Sequence, residues 1–248
     1  MKQPRQCIFC GALADSREHF WPDWVLERVK RAKRPAFKYS VGDREFVSRA
    51  IVVRCVCGTC NKGWMSDLEV LIRPVVGCLI QDISTPIDQI QQSQVALWVA
   101  KSSMVMERVG RPKRTPFYTD EERKNLRLQG AIPPHTLIWL ARYGGVDDIA
   151  CFGTDIWDDV PDRPETTHGY VNNIVSGRLA IQVLTLHPPG RYDDRRIFVR
   201  PNIGRWNGNV IQIWPFQRNH VWPPIATVSG AEFDSFAKRF SGGGTLAL

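Results

Sequence analysis

Residues able to do chemistry are concentrated in the first quarter of the chain. Cys7 and Cys10 form one C-x-x-C pair, and Cys57 and Cys60 form another. Two residues between thiolates let both sulfurs reach one ion from a tight turn, and nearby backbone N–H groups stabilise their negative charge. Two such turns complete a tetrahedral four-thiolate site of the structural zinc type. Soft sulfur donors in a closed shell favour Zn²⁺. The 46 residues between Cys10 and Cys57 are many for a compact zinc finger. They imply a strand, a helix and another strand inserted between the turns. Cys55, at a strand end, is expected to point away from the ion. Cys78 and Cys151 lie alone in apolar surroundings and read as ordinary buried thiols.

Between the two pairs runs "SREHFWP", in which Glu18 and His19 are adjacent. Neighbours on a strand point to opposite faces, so these two cannot serve one ion in the same way. They can divide the work at a strand end, one ligating a hard metal and the other acting as a base beside it. Asn61 follows Cys60 directly, so the metal turn fixes its position. Its carbonyl oxygen suits Mg²⁺, which prefers oxygen donors and keeps several waters for a substrate to replace.

The elements that must position these groups follow from periodicity and punctuation. "PDWVLERVKRAKR" (22–34) opens with Pro and Asp, which suit a first helical turn, and continues as a basic helix. "REFVSRAIVVRCVC" (44–57) is rich in β-branched residues and reads as strand. A helix is expected over about 63–80, with Trp64, Leu68, Leu71 and Ile72 on one face, and another over 90–109 with Val95, Trp98, Val99 and Met106 at helical spacing. Thr119 and Glu122 form a capping box. After Pro134 the pattern turns to strands at "TLIWLARY", "RLAIQVLTLH", "RRIFVRP" and "NVIQIWPF", divided by Gly, Pro and Asn/Asp clusters. "GAEFDSFAKRF" is a final helix ahead of the tail "SGGGTLAL". The fold class expected is α+β, with an amino-terminal module over 1–85 and an α+β remainder over 86–248.

The 248 residues suffice for one large domain or two small ones, and 43% apolar with 23% charged residues is the composition of an ordinary globular chain. No window approaches the roughly 18 to 20 apolar residues that cross a bilayer. The start, "MKQPRQC", has no apolar stretch of the secretory type, so a cytoplasmic location and no membrane partner are expected. The formal charge is +8, of which residues 1–80, with 14 Lys/Arg against 8 Asp/Glu, carry +6. A basic excess beside the cysteine pairs favours polyanionic partners, nucleic acid first. Arg28, Lys30, Arg31, Lys33, Arg34 and Lys38 are the candidate phosphate contacts, whose affinity falls with salt and carries no sequence information. Trp98, Trp139 and Trp214 sit in apolar runs and read as core. Trp21 and Trp24 are expected to pack around the basic helix, and Trp64 under the second cysteine turn. His135, His168, His187 and His220 have no partner spacing and carry no role.

Taken together, Cys7-x-x-Cys10, Glu18-His19-x-x-Pro22 and Cys57-x-x-Cys60-Asn61 resemble the zinc-stapled branch of the HNH (ββα-metal) nucleases. The likeness is strongest to the group whose signature continues as "N-x-G-W-M-S-x-L-E", here Asn61, Gly63, Trp64, Met65, Ser66, Leu68 and Glu69. "ALWVAKSSMVMER" is similar to the helix that follows in that group. The resemblance implies that His19 is the general base and that Glu18 and Asn61 hold one divalent ion, Mg²⁺ or Mn²⁺. It implies structural zinc on Cys7, Cys10, Cys57 and Cys60, and hydrolysis of a phosphodiester, with DNA the favoured nucleic acid. Glu18 stands where many members have Asp. No His occupies the third position of the motif, and Glu69 or Ser66 is the expectation for its place near the ion. The alternative is a catalytically inactive, zinc-stapled nucleic-acid-binding module. The carboxyl-terminal half of the chain matches no family pattern, and residues 86–248 as a whole have no assigned role. They are candidates for substrate specificity or for binding a protein partner or a second copy.

Overall fold

The computed structural model describes residues 5–29, 37–41, 44–48, 51–110, 116–145, 149–157, 167–187 and 209–238. Strand β1 (Glu18–His19) is followed by helix α1 (Asp23–Arg28), the hairpin strands β2 (Phe37–Val41) and β3 (Arg44–Ser48), and strand β4 (Val52–Val53). β1 and β4 pair antiparallel, with Glu18 opposite Val53 and His19 opposite Val52. The chain then makes one helical turn, α2 (Gly58–Cys60), a π-type turn over Asn61–Met65, and helix α3 (Ser66–Ile80). Two paired strands followed by a helix thus frame the segment that carries the chemistry.

Two expectations for this region are corrected. The basic helix does not run to residue 34. Val29 adopts an extended backbone (φ −79°, ψ 92°) and buries its β-branched side chain, which closes α1 at Arg28. Lys30, Arg31, Lys33 and Arg34 lie outside the described residues, and Lys38 falls on β2 rather than on a helix. The single strand expected over 44–57 is two strands, β3 paired with β2 and β4 paired with β1. On α3 the core face is Leu68, Ile72, Val75, Val76 and Leu79, whereas Leu71 is 51% exposed. Each fully buried residue of that stripe contributes about 1.5–3 kcal/mol by leaving water.

Strand β5 (Thr85–Ile87) leads into helix α4 (Gln89–Gly110), and helix α5 (Asp120–Gln129) follows. The Thr119–Glu122 capping box forms with both of its bonds, and Gly130 closes α5 at φ 63°, a left-handed position that glycine occupies without a Cβ penalty. The remaining elements are strands β6 (Thr136–Tyr143), β7 (Ile149–Trp157), β8 (Thr167–Ser176), β9 (Leu179–Leu186), β10 (Val210–Trp214), β11 (His220–Trp222) and β12 (Thr227–Val228), and helix α6 (Gly230–Lys238). The expected strand over 195–201 lies outside the described residues. The main sheet has the order β10-β6-β9-β8-β7, antiparallel throughout, with β12 added parallel to β6. β11 pairs with β5. The fold is α+β.

Alternation along the strands separates two apolar faces. Ile138, Leu140, Ile174, Ile181 and Val183 face α3 and α4 in a cluster that continues to Val25, Phe20 and the cysteine turns. Trp139, Ala141, Val171, Val175 and Leu184 face the other way, with Phe233 of α6. The β8–β9 turn docks on the end of α3. There Arg178 N–H donates to the Ile80 carbonyl at 3.0 Å, and Trp21 Nε1 donates to Ser176 Oγ at 3.0 Å. Among the described residues no helix is long and apolar enough to cross a membrane.

Candidate functional site

The four sulfurs of Cys7, Cys10, Cys57 and Cys60 all lie within 4.8 Å of one another, and Cys10 Sγ is 3.5 Å from Cys57 Sγ. That spacing and an all-thiolate donor set fit a tetrahedral ion such as zinc. The first turn is closed by Gly11 N–H to the Cys7 carbonyl (2.8 Å) and Cys7 N–H to the Ala12 carbonyl (2.6 Å). Gly11 sits at φ 76°, which favours glycine. In the second turn Cys57 caps α2. Its sulfur accepts the Cys60 N–H at 3.4 Å, and Asp15 Oδ1 accepts the Gly58 N–H at 2.7 Å. Two donors left over at the start of the turn are thereby satisfied. Burial pushes the Cys57 thiol up, but the Cys60 N–H and the neighbouring sulfurs outweigh it and hold the thiol below its ordinary value. Cys55 stands outside the group, as its place on the strand end implied, and burial pushes its thiol up to about 12. Trp64 packs edge-on against Phe9, centroids 5.0 Å apart, beneath the turns. Cys78 and Cys151 are each half-buried.

The metal turn places Asn61. Its backbone N–H donates to the Cys57 carbonyl at 3.0 Å. Its side-chain Nδ2 donates to Ser16 Oγ (2.8 Å) and to the Arg17 carbonyl (3.1 Å). With the amide nitrogen bound to the segment before β1, the carbonyl oxygen Oδ1 is the atom left for a ligand. Asn61 lines an open polar cleft of about 380 Å³ together with Glu18, His19, Arg17, Glu69 and Arg73. Asp23, Glu27, Pro22 and Trp24 of the α1 segment form its other wall. Within β1 Glu18 is buried and His19 exposed, the opposed orientation expected of strand neighbours. Ser66 does not line the cleft, whereas Glu69 does.

Lys101 of α4, which the sequence reading did not single out, meets two of the cleft's carboxylates. Its ammonium is 1% exposed and donates to Glu18 Oε1 at 3.2 Å and to Glu69 Oε1 at 3.1 Å. Burial works against the charge, but the two carboxylates more than offset it and hold the Lys101 pKa above its ordinary value. Burial raises the Glu18 carboxyl, Lys101 pulls it down, and the like charge of Glu69 raises it again, leaving it above the ordinary value. Lys101 is one lysine in the middle of "ALWVAKSSMVM", a run that the structure buries on almost every side.

No family model, curated protein or solved structure matches the chain.

The other proposed site residues separate by position. Arg28 donates to Gln81 Oε1 at 2.8 Å, and its guanidinium packs so closely on Gly77 that a Cβ there would stand 2.9 Å from it. It therefore ties α1 to α3. The cations that line the cleft itself are Arg17 and Arg73, the latter 3.9 Å from Glu27 across an exposed gap. For a divalent ion, the cleft offers oxygen donors of the hard type on Glu18, Asn61 and Glu69, a set that fits Mg²⁺ or Mn²⁺. Among the described residues, the four cysteines are the one group of three or more His, Cys, Asp or Glu ligands brought within mutual reach of an ion.

Proposed function

We propose that the chain is a metal-dependent endonuclease of the HNH (ββα-metal) type, acting on nucleic acid with DNA favoured. The observation that carries this reading is the meeting of Glu18, His19 and Asn61 at one cleft, with Asn61 set by the cysteine turn behind it. Structural Zn²⁺ on Cys7, Cys10, Cys57 and Cys60 holds that turn. Glu18 and Asn61 Oδ1 are the donors for one Mg²⁺ or Mn²⁺, which when bound supplies charge stabilisation at the scissile phosphate and the departing 3′ oxygen. His19 takes the proton of the attacking water. The oxygen of that water joins phosphorus as the P–O3′ bond breaks, and the leaving oxygen takes a proton from solvent water. The products carry 5′-phosphate and 3′-hydroxyl ends. Arg17 and Arg73 hold phosphates at the cleft, and the basic run from Lys30 to Lys38 extends the footprint. Residues 1–85 carry the reacting groups, and 86–248 supply Lys101 and substrate specificity.

A second reading, a zinc-stapled nucleic-acid-binding module without catalysis, is favoured by one observation: the Glu18 carboxylate is already ion-paired to Lys101. Incubation with supercoiled plasmid, single-stranded DNA and RNA in Mg²⁺ or Mn²⁺ separates the two. The nuclease reading expects EDTA-sensitive cuts on at least one substrate, with nicks that a ligase reseals. Binding to these substrates without any cut transfers the chain to the second reading.

A further inference from the structure

Lys101 reaches the cleft from α4, outside the segment that carries the proposed reacting groups. Its ammonium sits between two carboxylates that line the same cleft, Glu18 at 3.2 Å and Glu69 at 3.1 Å, and it is itself fully enclosed. A flexible lysine side chain held by both carboxylates is a buried cation behind a site whose other groups are Asn61 and His19.

We infer that Lys101 is a built-in cation that holds one oxygen of Glu18 and one of Glu69 and offsets their charge, so that this wall of the cleft, with Asn61 Oδ1, takes one divalent ion. This rests on the reading of the cleft as a divalent-ion site. Three consequences follow from the geometry. Lys101 holds Glu18 and Glu69 alike, through Oε1 of each. Lys101 engages neither Oε2, so Glu18 keeps that oxygen for an ion. The site takes one ion rather than a pair, because the charge that a second ion would neutralise is already neutralised. Lys101 is accordingly a positioning residue: it acts through Glu18 and touches no substrate.

Mn²⁺ binding to the zinc-loaded full-length protein, followed by the electron paramagnetic resonance signal of free Mn²⁺, tests the inference without relying on turnover. The wild type is expected to bind one Mn²⁺ at the cleft. Lys101→Met removes the internal cation and frees Oε1 of both Glu18 and Glu69, so Mn²⁺ should bind at least about tenfold more tightly, or a second ion should enter. Lys101→Arg keeps the charge and should restore single-ion binding. A lysine that only shapes the wall gives the opposite sign for Lys101→Met, weaker Mn²⁺ binding, and that result overturns the inference. Should Lys101→Met fail to fold with two unpaired buried carboxylates, Lys101→Met with Glu69→Gln keeps the net charge of the cleft floor. That double variant should bind one Mn²⁺ within about threefold of wild type, and loss of binding overturns the assignment. Absence of Mn²⁺ binding in the wild type also overturns it. Mn²⁺ binding in the expected pattern without any cleavage leaves Lys101 in this role and removes the nuclease reading alone.

Discussion

Asn61 owes its position to three donated bonds, one from its backbone to Cys57 and two from its amide to Ser16 and Arg17. They tie the second cysteine turn to the segment that enters β1, so the same residue that offers Oδ1 to the cleft also fixes the spacing between Glu18 and the turn. Asn61→Ala removes that oxygen and should lower the cleavage rate by about a hundredfold or more, the scale of losing one group that stabilises transition-state charge. The lost hydrogen bonds should cost only about 1–2 kcal/mol of stability, so rates and a urea titration on the same sample distinguish the two effects. The cysteine pairs, Glu18-His19 and Asn61 were legible in the sequence because adjacency and turn spacing encode them locally. Lys101 was not, since its partner Glu18 lies 83 positions away and a lone charge within an apolar helical run carries no indication of what it faces.

At the scale of elements, the docking of the β8–β9 turn on α3 places the sheet against the helix that follows the metal turn. Gly177 makes this contact possible: it lies at φ 59°, and a Cβ there would stand 2.7 Å from the Ile80 carbonyl oxygen. Gly177→Ala combines a left-handed backbone with a backbone clash and should destabilise the chain by about 1–3 kcal/mol, read as a lower urea midpoint at unchanged slope. The α5 cap provides a pH test. Burial would raise the Glu122 carboxyl, but the hydrogen bond with His187 and the Thr119 N–H outweigh it and hold it below its ordinary value of 4.5. A depressed carboxyl contributes stability above its unfolded pKa and loses it as pH falls through the folded value. Wild type should therefore lose stability below about pH 4.5 faster than Glu122→Gln, the two curves converging in acid. Thermal melts across that range measure it. The capping box was readable from Thr119 and Glu122 alone. The end of α1 was not, because the basic run continues in a helical pattern past Val29, whose burial in the core ends the helix instead. The π-type turn was equally hidden: Gly63 departs from helical geometry (φ −95°, ψ −119°) within a stretch that reads as the start of one helix.

Across the whole molecule, one apolar cluster runs from Cys7 and Phe9 through α3 and α4 to Ile181 on the main sheet and Trp222 on β11. The chemistry-bearing segment is thus anchored to a scaffold that also delivers Lys101 from the far side. The strand order β10-β6-β9-β8-β7 was not legible, because only the β8–β9 and β7–β8 neighbours are successive in the chain and the rest is set by long-range pairing. That scaffold makes the central claim testable by a change that leaves it intact. His19 is exposed, and its replacement by Ala removes a side chain at the cleft without opening the core. The most direct measurement is the cleavage rate of His19→Ala beside wild type, on the substrate that wild type cuts, with equal zinc content and equal melting temperature confirmed for both. Loss of cleavage, with substrate binding retained, is the result expected of a general base. Cleavage by His19→Ala at the wild-type rate contradicts the account, since no other group at the cleft has been given the proton of the attacking water.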